Sequence, residues 1–136
     1  MAGLLTTESE NLTGNMLFKN ADVDRGTSLQ IGLFTNSATP DNTWTLATIT
    51  EPTGGSYARI TLTDASWTVA ASVASYAAQV FTATGSAMTG SIYGYFIATT
   101  GTTPRLLWVE RDTYASVPYT LAQNDTYTIT PSITIV

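Results

Sequence analysis

The sequence predicts an all-β protein, a jelly-roll or related two-sheet antiparallel β-sandwich with one short N-terminal helix. Three observations lead there. Threonine occurs 27 times in 136 residues, and a β-branched residue stiff at χ1 fits a pleated surface better than a helix. Beyond Asp24 the apolar residues recur with period two, in short runs broken by clusters of Gly, Pro, Asn and Thr. Charged residues make up only 11% of the chain, less than half the usual share, so the surface is hydroxyl-rich rather than ionic.

The elements follow in order. Residues 7–20 form the one expected helix, because Leu12, Met16 and Leu17 share a face and Glu8 and Glu10 suit the positive end of the helix dipole. Gly14 weakens it. Eight strands are expected at 28–35, 44–48, 57–63, 66–69, 79–84, 92–99, 106–111 and 127–136. The breaks between them have turn chemistry: Pro40-Asp41, Gly54-Gly55 after Pro52, and Gly101 ahead of Pro104. The strand at 92–99 is apolar on both faces, which predicts a central strand covered on both sides or a face lying in a subunit contact. Gly94 within it leaves room for a large neighbour. Trp44, Trp67 and Trp108, with Tyr93 and Phe96, are the expected core anchors.

At this length one domain is expected, an N-terminal arm over 1–24 and a sandwich over 25–136. The absence of cysteine excludes disulfides and thiolate metal sites, and the absence of histidine removes the commonest general base and metal ligand. No catalytic residues, cofactor or metal are expected, and the protein reads as no enzyme. Net charge is −5, and the five cations Lys19, Arg25, Arg59, Arg105 and Arg111 are scattered. Binding phosphates needs a basic patch, so nucleic acid is not an expected partner. No apolar run approaches the ~18 residues of a membrane span, and no basic region precedes a hydrophobic one at the N-terminus, so neither a membrane anchor nor an export signal is expected.

Several constellations bear on chemistry. Asp22, Asp24 and Gly26 match part of a calcium loop, but the remaining oxygens of that pattern are missing. Glu51, Asp64, Glu110 and Asp112 could be nominated as a glycosidase pair, though no spacing places two in one cleft, and pairing of Glu110 or Asp112 with a nearby arginine is the expected alternative. Gly54-Gly55 and Gly85 to Gly90 lack the spacing and lysine of a phosphate loop. The single lysine, Lys19, sits in the helix. Asn11 and Asn124 open N-x-T sequons that nothing else supports. The main functional rival is a carbohydrate-binding module stacking sugars on Tyr57, Tyr76, Tyr93, Tyr95, Tyr114 or Tyr119, although period-two placement favours packing for most of them.

The series GLFTN (32–36), Thr39-Pro40, TEPTGGSYARITL (50–62) and Trp67, continued by IYGYFI (92–97), LLWVER (106–111) and TYTITPSITIV (126–136), resembles small structural proteins of tailed-bacteriophage virions. The resemblance covers roughly residues 28 to 136. It implies a jelly-roll decoration or cement protein, made in the bacterial host cytoplasm and placed on the outer capsid surface of the virion. There it would tie major capsid protein subunits together; a minor tail or fibre-associated protein is the alternative. Repeated weak contacts gain strength through avidity, so a homo-oligomer is expected, trimer ahead of dimer. Leu4, Leu5, Leu12 and Leu17 are the expected capsid or oligomer contacts, since they exceed what a short isolated helix buries; burial against the chain's own sandwich is the alternative.

Overall fold

A computed structural model describes residues 3–19, 24–113 and 118–135. The elements, in chain order, are β1 (Leu4–Leu5), α1 (Thr7–Lys19), β2 (Leu29–Phe34), β3 (Thr53–Gly54), β4 (Ile60–Leu62), a 3-10 turn (Asp64–Ser66), β5 (Thr68–Ala70), β6 (Val73–Ser75), β7 (Gln79–Thr82), β8 (Met88–Thr89), β9 (Gly94–Ala98), β10 (Leu106–Arg111), β11 (Thr126–Ile129) and β12 (Ser132–Thr134). The strands pair antiparallel throughout and one short helix accompanies them, a sandwich-like all-β fold.

The main layer is a five-stranded sheet in the order β1-β10-β9-β2-β4. Its middle strand, β9, is buried at every position. Alternation sends Tyr95 and Ile97 to one face and Phe96 and Ala98 to the other. On the first face they join Ile31, Leu33, Trp108 and the inward residues of the opposing layer, Phe81, Tyr127, Ile129 and Ile133. On the second face Phe34, Phe96, Leu106 and Val109 are covered by Trp44, with Leu46 and Ile49 packed alongside. Both sides of β9 are therefore covered within the protein itself.

The opposing layer is broken into short ladders, β11-β7 and β12-β6-β5, with β3-β8 beside them. Residues 127–136, expected as one strand, form two because Pro131 has no N–H to donate. The break is partial, since the Pro131 carbonyl accepts the Tyr76 N–H at 3.1 Å and the ladder resumes beyond it.

The strand expected at 44–48 is a pair of turns instead. The Asp41 carboxylate accepts from the N–H (2.8 Å) and hydroxyl (2.5 Å) of Thr43, and the N–H groups of Trp44, Thr48 and Ile49 bond backward to Asp41, Thr45 and Leu46. A local side-chain acceptor has outcompeted a ladder. The turns still deliver Trp44 to the core, edge-on to Phe34 at 5.9 Å.

Gly94 does make room, and the neighbour is backbone as much as side chain: a Cβ there would lie 2.1 Å from the Glu110 carbonyl oxygen and 2.9 Å from Phe34 Cε1. Gly32 likewise accommodates the Phe96 ring, 2.5 Å from where its Cβ would be.

Candidate functional site

The N-terminal segment is folded onto the body. Leu4 and Leu5 pair with Val109 and Trp108, adding an edge strand to the main sheet. Thr6, fully buried, caps α1: its hydroxyl accepts the Ser9 N–H at 3.2 Å and donates to the Leu106 carbonyl. Glu8 accepts the Leu106 N–H at 3.0 Å. Of the four leucines expected as contacts, Leu12 is buried, Leu4 and Leu5 are half-buried against the core clusters, and Leu17 faces solvent. Next to it stand Met16, 50% exposed, and Phe18, 88% exposed.

Beside α1 lies a groove of about 480 Å³ whose apolar lining includes Leu29, Trp67, Val69, Ile133 and Ile135. Arg25 and Asp64, joined at 2.9 Å, also line it. That contact holds the Asp64 carboxyl below its usual range. Trp67 is half-buried there, packed edge-on to Tyr76 at 5.1 Å.

A polar cleft of about 390 Å³ lies between β10 and β11. Glu110 and Asp112, two apart on β10 and its continuation, share it with Tyr95, Tyr127, Thr128 and Thr130. The Tyr95 hydroxyl donates to Glu110 Oε2 at 2.9 Å and the Tyr127 hydroxyl to Asp112 Oδ2 at 2.6 Å. The Trp108 indole N–H reaches the Tyr95 oxygen and Glu110 Oε2, both at 3.3 Å. Burial, then the adjacent carboxylate, pushes both phenols well above the ordinary tyrosine range. The carboxylates are thus pinned as acceptors, an arrangement suited to hydroxyl donors. A nearby arginine is the expected partner for one of them, but Arg111, between the two, donates instead to the carbonyls of Ser37 (2.7 Å) and Ala38 (3.3 Å), its guanidinium 4.6 Å over Tyr93.

The other nominated residues have structural employment. Glu51 accepts from the Tyr57 hydroxyl at 2.6 Å and from two nitrogens of Arg59. Tyr57 in turn accepts the Leu33 N–H, and Arg59 lies over Phe96 at 5.1 Å. Burial, then the bond to Glu51, raises the Tyr57 phenol. Asp24 accepts the N–H groups of Thr102 and Thr103, each at 2.9 Å, and those bonds lower its carboxyl. Its role is to tie the 99–104 loop down. Asp22 and Tyr114 lie outside the described residues. Among the described residues no group of three or more acidic side chains converges as a cation site would require, and no helix is long and apolar enough to cross a membrane.

Of the expected core anchors, Trp44, Trp108 and Phe96 are buried and Trp67 and Tyr93 half-buried. None of the tyrosines nominated as sugar platforms and described in the structure is fully exposed. Sequence reasoning missed Phe18 and the partnership of Tyr127 with Asp112. The signal for the first was present: Met16, Leu17 and Phe18 are consecutive, and three adjacent helical positions span about 200° of arc, more than one packed face covers. The chain matches no family model, no curated protein and no solved structure.

Proposed function

We propose that this protein is a non-enzymatic structural component of a tailed-bacteriophage virion, a decoration or cement protein that binds the outer capsid surface and bridges major capsid subunits as a homo-oligomer. On this reading the body is a jelly-roll variant. The observation that carries the proposal is where the resembling segments fall: GLFTN covers the end of β2, IYGYFI covers all of β9 but its last residue, LLWVER is β10, and TYTITPSITIV holds β11 and β12. They fall on strands of the main sheet and of the layer opposing it. The chemistry agrees with a mechanical role, since Glu51, Asp64, Glu110 and Asp112 each have a partner within the fold. A threonine-rich exterior is also cheaper to desolvate against another protein than a charged one.

Cementing works by linkage, because a protein that binds only the assembled shell opposes its disassembly. Immunogold electron microscopy of virions, with antibody against this chain, tests the proposal: label over the head supports it, and label confined to the tail favours the tail or fibre reading. One observation favours a second class of function, carbohydrate binding, namely the Glu110–Asp112 cleft with its threonine hydroxyls. Absence of label from particles, together with glycan-dependent tryptophan fluorescence, would transfer the assignment there.

A further inference from the structure

We propose that the end of α1 and the groove beside it form one self-complementary surface, through which two copies of this chain pair about a two-fold axis. This deepens the oligomer named above and rests on that part of the reading, replacing the trimer favoured from sequence with a dimer.

The projecting part is Met16-Leu17-Phe18. Leu12 turns inward and is 8% exposed, whereas Met16, one turn on, is 50% exposed, and Leu17 and Phe18 are 67% and 88% exposed. Phe18 alone carries roughly 150–250 Å² of surface, and with the exposed parts of Met16 and Leu17 beside it the knob is on the order of 400 Å². That is at the scale of the largest apolar patch a monomer usually shows, and such a patch is often functional.

The receiving part is the groove. Its volume, about 480 Å³, lies within the range of pockets that hold a ligand or an inserted side chain. Trp67 and Ile133 lie within it, while Val69 and Ile135, 67% and 45% exposed, stand open to solvent. The protein's own Phe18 does not fill it, being almost fully exposed.

Knob and groove adjoin, because Thr13 lines the groove and Met16 follows on the next turn of the same helix. A projection adjoining a recess permits an isologous contact, in which each copy inserts its knob into the other's groove. Charge matches as well. Lys19 follows the knob and makes no ion pair among the described residues, while the half-exposed Asp64 carboxylate lines the groove. Docking would place Lys19 of one copy near Asp64 of the other, in a three-membered set with Arg25. Two such insertions bring the buried surface toward the ~800 Å² per partner of a stable interface.

The test is sedimentation equilibrium of the full chain at micromolar concentration, with Phe18→Asp and Val69→Arg variants. Both sites are exposed, and circular dichroism checks that each variant is folded. The wild type is expected at twice the 14.5 kDa chain mass, and each variant alone as a monomer. An equimolar mixture of the two is expected to recover the dimer, because the mixed pair keeps one intact knob and groove and sets the introduced carboxylate against the introduced guanidinium. A monomeric wild type, a dimer that survives either substitution, a trimer, or a mixture that stays monomeric would each overturn the proposal. Monomeric wild type whose binding to particles is lost in Phe18→Asp would identify the capsid as the occupant of this surface instead. Co-sedimentation of wild-type protein with particles tests the capsid reading separately, so failure of one is distinguishable from failure of the other.

Discussion

Replacing Gly94 with alanine tests the packing of the central strand against a worked magnitude. The added Cβ would fall 2.1 Å from the Glu110 carbonyl oxygen and 2.9 Å from both Arg111 Cα and Phe34 Cε1. Two of those three atoms are backbone of β10, so no rotamer change relieves the clash. Relief requires β10 to move away from β9, which strains the bond from the Asp112 N–H to the Tyr93 carbonyl at 2.9 Å. Overpacking costs about 1–3 kcal/mol and a weakened buried hydrogen bond about 1 kcal/mol more. The loss of glycine's freedom in the unfolded chain returns about 0.5 kcal/mol. The net expectation is about 3 kcal/mol of destabilisation. With a urea m-value near 2 kcal/mol/M for a chain of this size, the midpoint falls by about 1.5 M. Gly14→Ala is the internal control: nothing lies within 4 Å of its Cβ position and the residue is mid-helix, so its midpoint rises by about 0.4 M. Both are measured by urea unfolding at one protein concentration, because self-association shifts apparent stability. A Gly94→Ala midpoint within about 0.3 M of wild type would refute the reasoning.

Further expectations concern the polar sites and the two edge-on tryptophans. Stability should fall steeply in alkali: Tyr57, Tyr95 and Tyr127 all have folded pKa values above the unfolded one near 10, so their contribution is complete below pH 10 and is lost as pH rises beyond it. At pH 11 the loss is about 1.4 kcal/mol per phenol, and the combined Tyr57→Phe and Tyr127→Phe variant should flatten the slope in denaturant melts taken from pH 9 to 11. Glu51→Gln leaves the Arg59 guanidinium, 27% exposed, without its ion partner and weakens the bond from Tyr57; about 1–2 kcal/mol of stability should be lost in urea unfolding at pH 7. Trp44→Ala should cost about 3–5 kcal/mol because it empties the covered second face of the main sheet. Trp67→Ala, at the groove wall, should cost less by the same measurement.

A structural consequence follows from the two covered faces of the main sheet. One face packs on the opposing ladders and the other on the 41–49 turns, so β9 has no face left for a partner. The surfaces left open for a partner are at the rims: the end of α1, the exposed strand β5, and the threonine-bearing loops.

The strand pattern of the core was readable because its cause is local. Apolar and aromatic runs bounded by turn residues mark 29–34, 94–98 and 106–111 in any context, and the helix at 7–19 announces itself through Leu12 and the acidic first turn. Contacts between distant residues were not readable. The Asp24 carboxylate holds a loop 78 residues away, Tyr127 meets Asp112 across a cleft, and the 44–48 run lost its strand to a side chain at Asp41. The same distinction separates the leucines. Composition showed that the N-terminal segment carried more apolar surface than it could bury alone; only the sheet edge offered by β10 decided that Leu4, Leu5 and Leu12 turn inward and that Met16, Leu17 and Phe18 are left for solvent or for a partner. Sequence sets which surfaces seek cover, and the tertiary arrangement decides which of them find it, because burial depends on where distant strands end rather than on the residues that need it.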